Sequence, residues 1–164
     1  KENVLGNPSK GFKQFLRTLT GGRITIGALA LGTAQGAYER ALKYSCEREA
    51  FGKQINKFQA ISFKLADMAT SIEASKHLVY NAAFLKDQGE DIIKEAAMAK
   101  LFSSEMCMRV TTEAIQVLGG YGYIKEYDVE RFFRDSKILE IGEGTSEVQR
   151  IIISREILKN ISSV

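Results

Sequence analysis

Residues 23–48, RITIGALALGTAQGAYERALKYSCER, decide the fold. Ile26, Ala30, Ala34, Ala37, Ala41 and Tyr44 recur at three- and four-residue steps, the spacing of one face of an α-helix. Gly32 and Gly36 also lie four apart. Glycine weakens a helix by about 1 kcal/mol per position, so two on one face predict close approach by another helix or a ligand. Upstream, KENVLGNPSKGF reads as a loop or strand leading into a helix, and Phe12, Phe15, Leu16 and Leu19 predict a turn or two of helix. Thr20-Gly21-Gly22 then interrupts it. The start without methionine fits a fragment or a processed product.

Downstream, the stretch around Phe51-Gly52 loses periodicity and reads as a connection from Arg48 to Asn56. Asn56 offers an N-cap, with Gln59 three residues on, for a second helix. Its core face is Phe58, Ile61, Leu65, Met68, Ile72, Val79 and Ala83, a helix of roughly 48 Å ended by Gly89. Asp91 caps a third helix from about Ile92 to Leu118, with Leu101, Met108 and Ile115 beside a stripe of Ala97, Ser104, Thr111 and Leu118. Gly119-Gly120 stops it, Tyr121-Gly122-Tyr123 reads as a loop, and a short amphipathic helix follows near Asp128 to Lys137. Ser146 and Gln149 stand at capping-box spacing before a last helix through Ile151, Ile152 and Ile157. Three long helices plus the C-terminal one, joined by short connections, predict an all-α fold, an antiparallel four-helix bundle with short additional helices, formed by residues 1–164 as one domain.

Composition agrees. With 45% apolar and 26% charged residues and a single proline, the 164-residue chain reads as one compact soluble domain and argues against a β-sandwich. A chain of this size buries roughly 68–70% of its unfolded surface, so neither a metal nor a disulfide staple is expected. The net charge of +3 is interspersed, which excludes a basic stripe for nucleic acid and leaves an acidic small ligand open. Ile24 to Tyr38, the longest charge-free run, falls short of the ~20 residues of a membrane span. No basic segment followed by an apolar one marks a signal peptide. Cys46 and Cys107 lack CxxC spacing and a nearby histidine, and are expected to be buried free thiols. His77, with no partner pattern, reads as structural or solvent-facing.

Four places have the residue types for chemistry, and each has a packing explanation beside it. Glu143 between Gly142 and Gly144 sits on a backbone that lets a ligand approach, next to a helix N-terminus, or is a polar turn residue favoured by the dipole. Arg48 with Phe51 and Gly52 can pair a guanidinium with phosphate and cover a nucleobase, or cap a helix end and plug a loop. Gln116 with Gly119-Gly120 can line a ligand or be a plain glycine C-cap. Arg23 beside Gly21-Gly22 can hold a ligand or sit in a helix turn.

Together, TLTGGR (18–23), EREAFGKQINKFQAISFKLADM (47–68), EAIQVLGGYGY (113–123) and RFFRDSKILEIGEGTSEVQR (131–150) are far more specific than apart. In order and spacing the chain resembles the C-terminal domain of acyl-CoA dehydrogenases, nearest the short-chain, butyryl-CoA type, over essentially its whole length. The resemblance implies FAD-dependent α,β-dehydrogenation of an acyl-CoA thioester to the trans-2-enoyl-CoA. Electrons would pass to electron-transfer flavoprotein, in a homo-oligomer expected to be a tetramer. Glu143 matches the family's base, which removes the α-proton while the β-hydride goes to the flavin; an aliphatic α-proton demands a site that excludes water and stabilises the developing enolate. Some relatives carry the base beside the helix arginine, a position held here by Gly22, so the sequence favours Glu143.

Arg23 matches the substrate-site arginine, with Gly21 and Gly22 beside it, and the resemblance implies that Gly144 lies against the acyl-CoA. Many relatives have Asp where this chain has Thr20 at that site. Arg48, Phe51 and Gln59 match contacts to FAD held by a neighbouring subunit, and Gln116, Val117, Leu118, Gly119 and Gly120 match a second such patch. Thr145, Ser146 and Glu147 match flavin contacts in the base's own subunit. The family's N-terminal helical and middle β domains have no counterpart in these residues, so the 164 residues alone are expected to be inactive. A bacterial cytoplasm or a mitochondrial matrix suits two reduced cysteines. The rival readings are a non-catalytic four-helix assembly module and an acyl-CoA oxidase domain.

Overall fold

A computed structural model describes residues 3–159. Helix α1 runs unbroken over Gly11–Glu47, 37 residues or roughly 55 Å. The expected interruption at Thr20-Gly21-Gly22 is therefore not a break. Thr20 Oγ1 donates to the Leu16 carbonyl (3.1 Å) and Thr25 Oγ1 to the Gly22 carbonyl (2.8 Å), so the helix carries straight through. Two helical glycines weaken a helix by only about 2 kcal/mol, which packing along the rest of α1 offsets. Lys1 and Glu2, the start of the expected leading loop or strand, lie outside the described residues; residues 3–7 are irregular, and Asn7 Oδ1 caps a 3₁₀ turn at Pro8–Lys10.

Between α1 and α2 (Gln59–Asp87) the connection is a small hairpin rather than an irregular loop. Strands β1 (Glu49–Ala50) and β2 (Lys53–Gln54) pair antiparallel, Glu49 opposite Gln54. Phe51 (φ 52°) and Gly52 (φ 81°) form the two-residue turn, the backbone sense of a type I′ hairpin. Asn56 does not cap α2. It sits in a 3₁₀ turn, Ile55–Lys57, and its Nδ2 donates to Cys46 Sγ at 3.2 Å. The extended backbone of Phe58 starts α2, its carbonyl accepting from Ile61 and Ser62.

Helix α3 (Ile93–Leu118) begins where Asp91 Oδ1 accepts from Ile93 N–H (3.3 Å). The Tyr121 segment expected as a loop is a single helical turn, α4 (Gly120–Tyr123). Helices α5 (Val129–Ile141) and α6 (Ser146–Lys159) follow. Ser146 does not cap α6 either. Thr145 Oγ1 accepts from Val148 N–H (3.4 Å), and Ser146 is the first helical residue.

The bundle is α1, α2, α3 and α5: its fourth member is not the expected C-terminal helix α6 but the shorter helix before it, which packs on both α1 and α3. Gly27 approaches Ala99 while Arg48 lies beside Gln116–Gly120, so α1 and α3 run parallel through its centre. Helix α2 runs against them, with Gly27 meeting Val79, Ser75 sharing a hydrogen bond with Ser103 (2.7 Å), and Lys64 pairing with Glu113. Helix α5 also runs against them, Phe132 meeting Gly36 and Ser136 meeting Thr111. Helix α6 packs on α3 and is tied to it by Arg150–Glu105.

Small side chains let the central pair approach. Ala30, Ala34, Ala37 and Ala41 of α1 are fully buried, as are Ala97, Ser104 and Thr111 of α3. The stripe expected as secondary is thus the inner face of α3, and Leu101, Met108 and Ile115 are half-buried. Leu65, Met68, Ile72 and Val79 of α2 fill the remaining core, each contributing about 1.5–3 kcal/mol. Gly36 admits Phe132, whereas Gly32 faces open space. Cys107 is buried and its thiol is pushed up to about 12, but Cys46 is exposed. Its neighbour Ser45 takes the inward position at the end of α1. His77 is exposed beside Glu73. Among the described residues no helix is long and apolar enough to cross a membrane.

Candidate functional site

The turn between α5 and α6 brings Glu143 to α1. Glu143 has φ 55° and Gly144 φ 92°, two consecutive left-handed residues that no helix hydrogen bond supports. Glycine at 144 is required twice over: by its φ and because a methyl there would lie 2.9 Å from Gln149 Nε2. Gln149, fully buried, donates Nε2 to the carbonyls of Gly144 (2.8 Å) and Glu143 (3.3 Å). At capping-box spacing its side chain thus reaches back, but to carbonyls of the turn. Lys100, also fully buried, donates Nζ to the same Gly144 carbonyl at 2.8 Å.

The Glu143 carboxylate faces Gly22 of α1. A methyl on Gly22 would lie 2.8 Å from Oε2, so only glycine leaves the carboxylate its place. Arg23, one residue on, is buried; burial pulls its guanidinium below the ordinary value and the Glu143 charge pulls it back up. Its Nη1 donates to Thr20 Oγ1 (3.4 Å) and its Nε is buried with no partner among the described residues. The two stretches 20–23 and 143–144, 120 residues apart in sequence, thus form one polar corner, with a carboxylate against Gly22 whose charge acts on the buried Arg23. Thr145, Ser146 and Glu147 continue it. Ser146 Oγ is buried with no partner among the described residues, and the α6 N-terminal amide and the Thr145 hydroxyl hold the Glu147 carboxyl below the usual range.

Gly22→Ala tests that corner directly. The atom in the way is the tip of a flexible side chain, so the helix tolerates the change, within about 1 kcal/mol. The carboxylate must swing aside. Expected is a melting midpoint within about 2–4 °C of the parent's, checked by thermal unfolding of this chain.

A second locus lies at the other end of α1. Arg48, Tyr44 and Ile55 line one side of a groove of about 440 Å³, and residues 116–120 with Tyr121 and Ile124 line the other. The structure thus joins two patches that the sequence presents separately. The Arg48 guanidinium sits 5.6 Å from the Tyr121 ring centroid, and Tyr44, Tyr121 and Tyr127 pack at 5.1–6.3 Å. Gly119, at φ 61°, and Gly120 leave the groove floor open, with nothing within 4 Å of where a side chain would start. Phe51 and Gln59 are exposed and stand outside the groove; Phe51 is 97% exposed on a strained hairpin tip. An aromatic held in solvent at positive φ is poor packing and reads as a contact surface.

Lys100 and the tyrosine cluster are the residues that sequence reading passes over. A signal for Lys100 exists: Ile93, Lys100, Cys107 and Ala114 are seven apart, one lysine in an otherwise apolar register.

A helical bundle with a carboxylate on a glycine turn facing a helix arginine defines the class, and the comparisons give the family. The profile described as "Acyl-CoA dehydrogenase, C-terminal domain" matches residues 9–158. The chain belongs to the acyl-CoA dehydrogenase family, whose C-terminal domain it matches. It is similar to the "Probable acyl-CoA dehydrogenase YngJ" of Bacillus subtilis, 59% identical over 157 residues, 96% of this chain and 41% of that protein. It is 52% identical to the caffeyl-CoA reductase-Etf complex subunit CarC of Acetobacterium woodii, over 97% of this chain and 42% of that protein. The butyryl-CoA dehydrogenase structure from Megasphaera elsdenii superposes with a TM-score of 0.95 at 52% identity, covering 96% of this chain and 41% of that one. The chain spans about two-fifths of the length of these relatives.

Proposed function

We propose that this domain belongs to an enzyme that oxidises a short-chain acyl-CoA to the trans-2-enoyl-CoA, with Glu143 as the base. The observation that carries this reading is the Glu143 carboxylate, fixed by a clamped turn and given room by Gly22 beside the buried Arg23. Glu143 takes the proton from the carbon α to the thioester carbonyl. Arg23 places a positive charge near the carboxylate. Gly144, without a side chain, lets the acyl chain lie against the turn, and the acyl chain in turn keeps water from the carboxylate.

The groove fits the nucleotide part of FAD. Arg48 has no carboxylate partner among the described residues, the glycine floor is open, and Tyr121 holds the guanidinium from behind. Arg48 and residues 116–120 hold the pyrophosphate and adenine of FAD bound by a neighbouring subunit, with Phe51 and Gln59 reaching out from the hairpin and the start of α2. Thr145, Ser146 and Glu147 lie against the flavin in the base's own subunit. FAD, when bound, accepts the two electrons and the β-hydrogen. A tetramer and electron-transfer flavoprotein as electron acceptor follow from the same reading, in a bacterial cytoplasm or a mitochondrial matrix; the name of the A. woodii relative supports such a partner.

The test is turnover of a series of saturated acyl-CoA thioesters by the complete enzyme, with the enoyl product identified. Expected is a maximum at short chains, and no turnover by these 164 residues alone. Turnover by the isolated residues, or none by the FAD-loaded complete enzyme on any chain length, would overturn the reading.

A further inference from the structure

We propose that Lys100 is a positioning residue for Glu143: from the interior of the bundle its ammonium grips the Gly144 carbonyl and fixes the left-handed turn that presents the carboxylate to Gly22. The inference rests on Glu143 being the base.

Lysine is almost never fully buried unless paired, because its charge must leave water. Lys100 is fully buried, enters no ion pair among the described residues, and spends its charge on a single carbonyl 44 residues away. Packing does not explain it. A methionine or leucine would fill the same space on the inner side of α3 without desolvating a cation. Hydrogen-bond satisfaction does not explain it either, since Gln149 already donates to that carbonyl at the same 2.8 Å. What the second, charged donor adds is direction and stiffness. A charge-assisted hydrogen bond is roughly twice as strong as a neutral one. Two donors arriving from different helices, α3 and α6, fix the plane of the peptide that follows Gly144.

The turn needs such a restraint. Glu143 and Gly144 both sit at positive φ, so relaxation of either residue would carry the carboxylate away from α1. Glu143 is exposed in this chain, so nothing packed around its side chain holds it in place. The restraint acts through the main chain, and Lys100 is its charged half. Burial pulls the Lys100 ammonium below its ordinary value, while Glu140, Glu105 and Glu147 pull it back up.

The experiment uses the complete FAD-loaded enzyme with Lys100→Met, which keeps the apolar stem and leaves Gly144 its Gln149 donor. Four quantities are read: FAD content, KM and kcat, the α-carbon deuterium isotope effect, and peptide-level hydrogen exchange over residues 142–148. Expected are FAD content and KM within about twofold of the parent and kcat about 10- to 100-fold lower. The isotope effect rises, and exchange speeds up at 142–148 but not along α3. Lys100→Gln, whose neutral head accepts a bridging water, gives the same ordering at smaller amplitude and serves where the methionine variant does not accumulate. Unchanged kcat and exchange would overturn the proposal. So would a kcat loss matched by equal losses of FAD and of the melting midpoint, the signature of a mere structural filler. Turnover retained by Glu143→Gln removes the base assignment instead, and the exchange readout then still separates a turn held by Lys100 from one that is not.

Discussion

Glu143→Gln in the complete enzyme is expected to keep FAD bound and to lower turnover by about 10³- to 10⁴-fold, the upper part of what a positioned base supplies. Glutamine has the shape of glutamate, so the space opposite Gly22 stays filled. The clamp on the turn runs from Lys100 and Gln149 to main-chain carbonyls and does not involve the carboxylate. What is lost is the proton acceptor and the charge facing Arg23. The loss therefore appears in kcat and in exchange of the substrate α-proton with deuterated solvent, with the flavin spectrum and the melting midpoint unchanged. Substantial turnover by this variant would show that another residue takes the proton.

The periodic parts of the chain gave up their structure to simple reading. Ala30, Ala34, Ala37 and Ala41 fall on one face at helical spacing and are all fully buried. The errors fall where a local signal has two physical meanings. Thr20-Gly21-Gly22 looks like a helix break because glycine and threonine weaken helices, yet Gly22 is there so that Glu143 can come close from 121 residues away. A break and a close approach use the same residue, and only the tertiary partner distinguishes them. Asn56 and Ser146 have the chemistry of N-caps, but Asn56 lies in a 3₁₀ turn and Ser146 is inside α6 by one residue, Thr145 having taken the hydrogen bond. Cap position is set by where the preceding turn delivers the chain. At the site, spacing alone leaves Glu143 and Arg23 each with a packing explanation, and it is the family resemblance that singles them out. Lys100 is not legible as a site residue because a lysine in a helix is ordinarily a surface residue, and its burial follows only once α6 brings Gly144 over α3.

Gly122→Ala is expected to cause a large loss of stability. Gly122 is buried in α4, and a methyl there would lie 2.7 Å from the Ile115 carbonyl oxygen, 2.9 Å from Ile115 Cα and 3.0 Å from Leu118 Cβ. Two of those three atoms are backbone of the last turn of α3, which cannot swing aside as the Glu143 tip can at Gly22. Either α4 lifts off α3 or α3 bends. Overpacking of this kind destabilises by about 3 kcal/mol, and for a domain of this size that lowers the melting midpoint by about 6–12 °C. Gly120→Ala is the control. It begins the same helical turn but has nothing within 4 Å, so it should change stability by no more than about 0.5 kcal/mol. The consequence reaches the groove, because the turn that Gly122 seats also carries Tyr121, which packs with Tyr44 and Tyr127 and backs the Arg48 guanidinium. Thermal unfolding of both variants decides the point. Equal midpoints for the two would mean that α4 is loosely seated, and that the geometry of Arg48 does not depend on the glycine beside Tyr121.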